Sequence, residues 1–219
     1  MELLRISILG GLLGLDATAV GQFMASRPIV SGVLAGWVLG DAGLGIAIGV
    51  ILELYLLVSF PTGGARFPEG STATVVAVAA AAPFEAAGAI PLAVGVGLLW
   101  GQLGGATITV QRHVNSRLVP EAGDATHAGA RVTGAHAAAI GLDFMRGGVV
   151  TLSGVLVGRA VLGVWVQNWP LSPSTSFGML MVGGAVSAGI LLHDLGGFRK
   201  RRMLFVAGLA LGILGARVL

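Results

Sequence analysis

Residues 88–110 contain no charged side chain, and comparable runs, each with at most one charge, occupy 43–60, 147–165 and 175–192. About 20 apolar residues at 1.5 Å rise cross the roughly 30 Å hydrocarbon core of a bilayer. Inside that core no water is available to the backbone, so every N–H and C=O must be satisfied within the protein, which leaves helices or a closed barrel. The runs lack the strict alternation of a barrel strand. The sequence therefore predicts an all-α, polytopic membrane protein, organised as a single domain over residues 1–219.

Composition agrees: 55% of residues are hydrophobic and 11% are charged, against about 25% charged in a soluble domain. Water-exposed surface cannot be covered by so few polar groups. The net charge of +3 is concentrated locally, above all in Arg199-Lys200-Arg201-Arg202. This pattern reads as a cytoplasmic anchor rather than a nucleic-acid footprint. Cysteine is absent, which excludes disulfides, thiolate catalysis and Cys-ligated metal. The histidines and acids show no metal-ligand spacing, and neither a Ser-His-Asp grouping nor a phosphate-binding loop occurs. No cofactor, metal or catalytic residue is expected. The apolar stretch 6–15 has Glu2 before it and Asp16 after it, so it reads as a retained segment rather than a cleaved signal.

Not every apolar run is long enough to cross. Residues 3–15, 28–40 and 72–82 are too short, and read as half-helices or re-entrant limbs. The run 43–60 is long enough to span, as are 88–110, 147–165 and 175–192; residues 203–219 close the chain. Residues 111–131 are the most polar region and must lie outside the hydrocarbon. With 147–165 and 175–192 crossing, that region and the 199–202 cluster fall on one side, the cytoplasmic one by the positive-inside rule, provided that 132–146 does not cross. Glycine is abundant at 37 residues. Gly32/Gly36/Gly40, Gly97/Gly101/Gly105 and Gly45/Gly49 repeat at i, i+4 and so line single helix faces. The first two rows predict close helix packing. The third runs into Glu53, so a packing seam and a functional groove stay equally open there.

The polar residues within apolar surroundings are the candidates for function. Glu53 sits near the middle of its run, where a carboxylate is disfavoured by about 2.5–3.5 kcal/mol unless it pairs or faces a polar cavity. Gln22 precedes Arg27-Pro28, in a break that the proline keeps extended; its amide can both donate and accept, as hydroxyl recognition requires. Asp16 has the same character. Glu69 and Ser71 stand before the short run 72–82, as N-terminal caps, as ligands to a substrate, or as both. Asp143 and Arg146, three residues apart, are expected to neutralise each other, and His136 to pack between helices.

In the segments Gly21-Gln22-Phe23 with Arg27-Pro28, Val38-Leu39-Gly40-Asp41 with Gly45-Ile46-Ala47-Ile48-Gly49 and Leu52-Glu53, and the Pro68-Glu69 break, the chain resembles the IIC membrane component of the mannose–fructose–sorbose family of the bacterial sugar phosphotransferase system. Weaker echoes run through Ile90-Pro91-Leu92, Gly101-Gln102, Gln111-Arg112-His113 and Met145-Arg146. The resemblance implies a permease in the bacterial cytoplasmic membrane that moves a hexose or amino sugar across by a mobile core. It implies a homologous IID membrane subunit, trimeric assembly, and soluble IIA and IIB components that carry the phosphate on their own histidines, so that no residue here is phosphorylated. By position it makes Gln22, Glu53 and Glu69 the sugar site or its gate, with Asp16 and Ser71 behind them. Glu69 stands where the family usually has Asp. Two other readings remain open at this point: a regulatory or scaffold subunit without transport, and an ion-coupled transporter using Glu53 as its proton site.

Overall fold

The computed structural model describes residues 1–59, 66–119 and 128–218. Residues 61–65 of the polar break, together with Glu121, Asp124 and His127, lie outside that description. The described chain is helical: α1 (Glu2–Thr18), α2 (Pro28–Leu39), α3 (Ala42–Tyr55), α4 (Gly70–Ala81), α5 (Ala89–Leu118), α6 (Ala128–Trp165), α7 (Pro173–Asp194) and α8 (Gly197–Val218), with a 3-10 turn at Val166–Asn168. Of these, α5, α7 and the stretch Gly129–Asn168 are long and apolar enough to cross a membrane, whereas α2, α3 and α4 are apolar but short.

At the centre lies α4. Every residue from Ser71 to Ala81 is buried, which explains its composition of alanine, valine and threonine: it has no face to present to water or lipid. At 12 residues it is about 18 Å long, too short to cross, as expected of the 72–82 limb. Helix α5 approaches it at backbone contact. A Cβ on Gly97 would stand 2.4 Å from the Ala73 carbonyl oxygen, and one on Gly101 2.9 Å from the Ala73 side chain.

The hairpin of α2 and α3 wraps the core from one side. Pro28 opens α2 at a position where its missing N–H costs nothing, and Gly40 ends it with φ +83°, a left-handed cap that suits glycine. Asp41 then caps α3 by accepting from the Leu44 amide at 2.9 Å. The two helices meet glycine to glycine: a Cβ at Gly32 or Gly45 would lie 2.5 or 2.3 Å from the other's carbonyl oxygen. The groove along Gly45 and Gly49 is therefore filled by α2, and the packing-seam reading holds for this row, for Gly32 and Gly36 and for Gly97, Gly101 and Gly105; Gly40, the left-handed cap of α2, packs against nothing within 4 Å.

Three sequence expectations are corrected, the simplest being His136, which is exposed on α6 and does not pack between helices. The run 43–60 is not a full span. Helix α3 stops at Tyr55 after 14 residues, where the chain tightens into turns with the Leu57 and Ser59 amides on the Leu54 and Leu56 carbonyls. Glu53 thus stands in the last turn of a short helix, not at the middle of a long one. Residues 132–146 and 147–165, read as separate segments, are one helix of 38 residues. At about 57 Å it exceeds the hydrocarbon thickness, and its exposed first turns carry Arg131 and His136 beyond the packed core. The stretch Gly129–Asn168 and α7 are each long and apolar enough for one crossing.

Candidate functional site

A cavity of about 630 Å³ opens between the C-terminal end of α1, the loop into α2, the end of α3, the start of α4 and the polar half of α5. Its walls include Asp16, Thr18, Gln22, Ser26, Arg27, Ser59, Phe67, Glu69, Ser71 and Arg112. Four of the five residues singled out in the sequence, Asp16, Gln22, Glu69 and Ser71, meet here; Glu53 does not line the cavity. A second cavity of about 670 Å³ between α3, α5 and α7 has only Glu85 and Ser176 as polar lining residues. The Ser176 hydroxyl is held by the Trp169 indole at 2.8 Å, so that space offers little to a polar ligand.

The loop from α1 to α2 is tied down by Asp16. Its carboxylate accepts from the Phe23 amide at 2.7 Å and the Ser26 amide at 2.8 Å. Around the first of these anchors the backbone passes through the left-handed region: Gly21 has φ +91°, Gln22 +53° and Met24 +65°, the last two being the positive-φ non-glycine residues of the described chain. Residues held in this region cost of order 1–3 kcal/mol and persist where surrounding structure enforces them, commonly at binding sites. Here the strained turn sets Gln22 on the cavity wall.

Glu69 is completely enclosed and held by Arg146 of α6. The guanidinium donates through Nη2 to Oε1 at 2.9 Å and through Nη1 to Oε2 at 3.0 Å. The same guanidinium donates through Nε to Asp143 at 2.8 Å and through Nη1 to the Thr107 hydroxyl at 3.1 Å. Asp143 also accepts from the Thr18 hydroxyl. The expected Asp143–Arg146 pair is present, but it is one part of a network that joins α1, α4, α5 and α6. Glu69 occupies the N-cap position of α4 without capping it through its side chain; its carboxylate turns to Arg146 instead. Its backbone N–H donates to the Gly101 carbonyl at 2.8 Å.

Glu53 accepts from Arg27 Nε at 2.9 Å, with a second contact from Nη2, and from the Ile29 amide at 3.2 Å. It thus completes the N-terminus of α2, where negative charge is favoured. Ser71 and Thr72 are buried, and their hydroxyls have no hydrogen-bond partner. Sequence spacing did not reveal the Glu69–Arg146 bond or the presence of Arg112 on the cavity. The available signal was Arg146 itself, a cation on an otherwise apolar segment that one acid three residues away could not fully occupy.

A family model described as the sorbose-specific IIC component of the phosphotransferase system matches residues 1–212. Among solved structures, a chain described as "Structure of membrane protein" superposes with a TM-score of 0.70, covering 99% of this chain and 92% of its own length at 18% identity. A chain from "CryoEM Structure of Mannose Transporter ManYZ and Microcin E492 (MceA) complex" gives a TM-score of 0.49 at 20% identity, with coverage of 99% and 92%. No similar sequence was found among curated proteins. The first superposition supports the fold.

Proposed function

This chain belongs to the family of sorbose-specific IIC components of the sugar phosphotransferase system and is a membrane permease subunit, and we propose that its polar cavity holds the transported sugar. The single observation that carries this assignment is the gathering of Asp16, Gln22, Glu69 and Ser71 around one space. Its volume of about 630 Å³ falls in the usual range for small-molecule sites.

The sugar is a hexose of the mannose, fructose or sorbose type, or an amino sugar. Gln22 contacts it directly: its amide supplies both donor and acceptor, and the strained turn fixes its direction. Ser71 lines the space, and its enclosed hydroxyl has no hydrogen-bond partner. Asp16 and Glu69 line the space but are committed to other groups, so they shape it. Glu53 acts one step removed, by holding Arg27 on the cavity wall. An ion-coupled mechanism would need Glu53 open to protons, and its bonds to Arg27 and the α2 amide argue against that role.

The whole chain works as one permease domain in the bacterial cytoplasmic membrane. It pairs with a IID membrane subunit in a trimeric assembly, and IIA and IIB supply the phosphate. Helix α8 leans on α7, and its described side chains from Phe198 to Leu211 are exposed, which leaves an apolar surface for lipid or a partner helix.

Co-reconstitution with IIA, IIB and IID and a panel of labelled hexoses tests this reading. Uptake driven by phosphoenolpyruvate, lost on Gln22→Ala, is the expected result. A scaffold subunit would assemble with IID and show no uptake to lose, and an ion-coupled carrier would transport without the phosphate relay and stop on addition of an uncoupler.

A further inference from the structure

The second cavity, of about 670 Å³ between α3, α5 and α7, shares no lining residue with the polar one, and its volume is that of a small-molecule site. Its floor includes the buried side chains of Ile51 and Leu180, and its rim the exposed Val50 and Phe177. From Pro173 to Met181 it follows α7 for about 12 Å. Helices α5 and α7 are both long and apolar enough to span, so the rim opens on hydrocarbon. An apolar space of this kind excludes water, and left empty it deprives its floor of dispersion contacts. What fills it is apolar, and in a bilayer the apolar group at hand is an acyl chain.

The mouth has a different character. Glu85, in the connection between α4 and α5, lines the cavity and is exposed. Among the described residues its carboxylate has no hydrogen-bond or ion-pair partner. Arg159, the cation at this end of α4, is taken up by the Ala79 carbonyl and Glu2. The basic residues of α5, Arg112 and Arg117, stand towards its far end. Asp41, one turn before Leu44 of the cavity wall, adds a second negative charge at the near end. Tryptophans gather where hydrocarbon meets headgroups. Here Trp169 packs on Gly88 at the start of α5, and its indole holds Ser176 of the cavity. A free carboxylate therefore stands at headgroup depth beside an apolar slot. It repels a lipid whose head is only anionic. A primary ammonium suits it best, since that group brings three N–H donors as well as its charge; a choline head brings charge without a donor.

We propose that this cavity is a lipid site, which seats an acyl chain of phosphatidylethanolamine between α3, α5 and α7 and pairs the lipid ammonium with Glu85. The seated chain ties the short helix α3 to the two spans. The inference is independent of the sugar reading.

The test is native mass spectrometry of the full-length chain, alone and assembled with its IID subunit, after equilibration with phosphatidylethanolamine, phosphatidylcholine and phosphatidylglycerol of identical acyl chains. One phosphatidylethanolamine is expected to be retained with at least fivefold preference over either other lipid. Glycerophosphoethanolamine, which has the head without the chains, should not compete. In E85Q the preference should fall below about twofold, and in E85K it should turn towards phosphatidylglycerol. A47F, which adds bulk to the cavity wall, should weaken retention of all three lipids. Equal retention of the three by the native chain, or a preference unaltered in both E85Q and E85K, overturns the proposal. Competition by glycerophosphoethanolamine overturns the chain-binding half of it. Loss of the bound lipid on assembly with IID overturns it as well, because the cavity would then belong to the partner subunit.

Discussion

Arg146 of α6 holds Glu69, at the start of α4, by two parallel N–H donors at 2.9 and 3.0 Å, and both side chains are almost wholly removed from solvent. Breaking such a pair by removing one partner leaves an uncompensated charge, which typically destabilises by 3–5 kcal/mol. Arg146→Met should therefore lower the apparent melting temperature in detergent sharply, because it strands Glu69 and Asp143 together. Glu69→Gln should be milder, since Arg146 keeps Asp143 and Thr107. Equal losses in the two variants would contradict the network.

A glycine prediction separates packing seams from mere flexibility. At Gly45 a methyl group would meet the Gly32 carbonyl oxygen at 2.3 Å, with backbone on both sides unable to give way. Gly45→Ala is expected to destabilise by about 1–3 kcal/mol, the usual range for overpacking. Gly134, in the exposed first part of α6, has nothing within 4 Å of such a methyl. Gly134→Ala should be neutral or stabilise by up to about 1 kcal/mol, through helix propensity alone. Thermal unfolding of the two variants side by side gives the comparison.

Gln22 combines a strained backbone with a place on the cavity wall. Gln22→Gly relieves the strain while deleting the amide, so stability and function should move in opposite directions. The melting temperature should hold or rise, and sugar affinity should fall about tenfold, equivalent to roughly 1.4 kcal/mol. Gln22→Asn tolerates the positive φ and should retain more affinity than Gln22→Ala. Parallel losses of stability and affinity in Gln22→Gly would mean that the residue is structural.

Much of this was readable from residue order, and the boundary of what was readable has a physical cause. The short limb at 72–82 followed from counting residues against the bilayer thickness, and α4 occupies 70–81. The loop before Pro28 followed from proline's effect on its predecessor, and Asp16 and Gln22 were picked out as polar groups in apolar surroundings. Two kinds of information were missing. The end of α3 at Tyr55 is set by tertiary turns rather than by any strong breaker before Pro61, so an apolar run was taken for a span. The partners of the two acids come from distant segments: buried Glu69 pairs with Arg146, and half-buried Glu53 with Arg27. Periodicity shows which residues share a helix face, but not which face of which helix it meets.

The separation of Glu53 from the cavity gives a prediction opposed to a direct sugar contact. Its carboxylate receives Arg27 and the Ile29 amide, in a pair that is about one-fifth exposed. Glu53→Gln keeps an acceptor for the amide and should change sugar affinity less than threefold, while lowering stability by about 1 kcal/mol, allowing for solvent screening of the pair. An affinity loss as large as that of Gln22→Ala would return Glu53 to the sugar site.

Helix α6 grips α4 at its other end as well. Arg159 donates through Nε to the Ala79 carbonyl at 3.0 Å and contacts Glu2. A cation there is favoured by the negative end of the helix. About 20 Å of helix separates Arg146 from Arg159, close to the roughly 18 Å length of α4, and between them Gly154 and Gly158 admit Val76 and Ala80. The two helices are thus clamped in register, and any motion that carries the sugar must move them as one body. Arg159→Met frees the C-terminal end of α4 without touching a cavity residue. It should lower the transport rate several-fold and stability by about 1–2 kcal/mol, while leaving the sugar affinity of the resting protein nearly intact. Uptake kinetics measured beside equilibrium binding will read the two effects separately; a loss of affinity with an unchanged rate would show that α4 is not held as a rigid unit by α6.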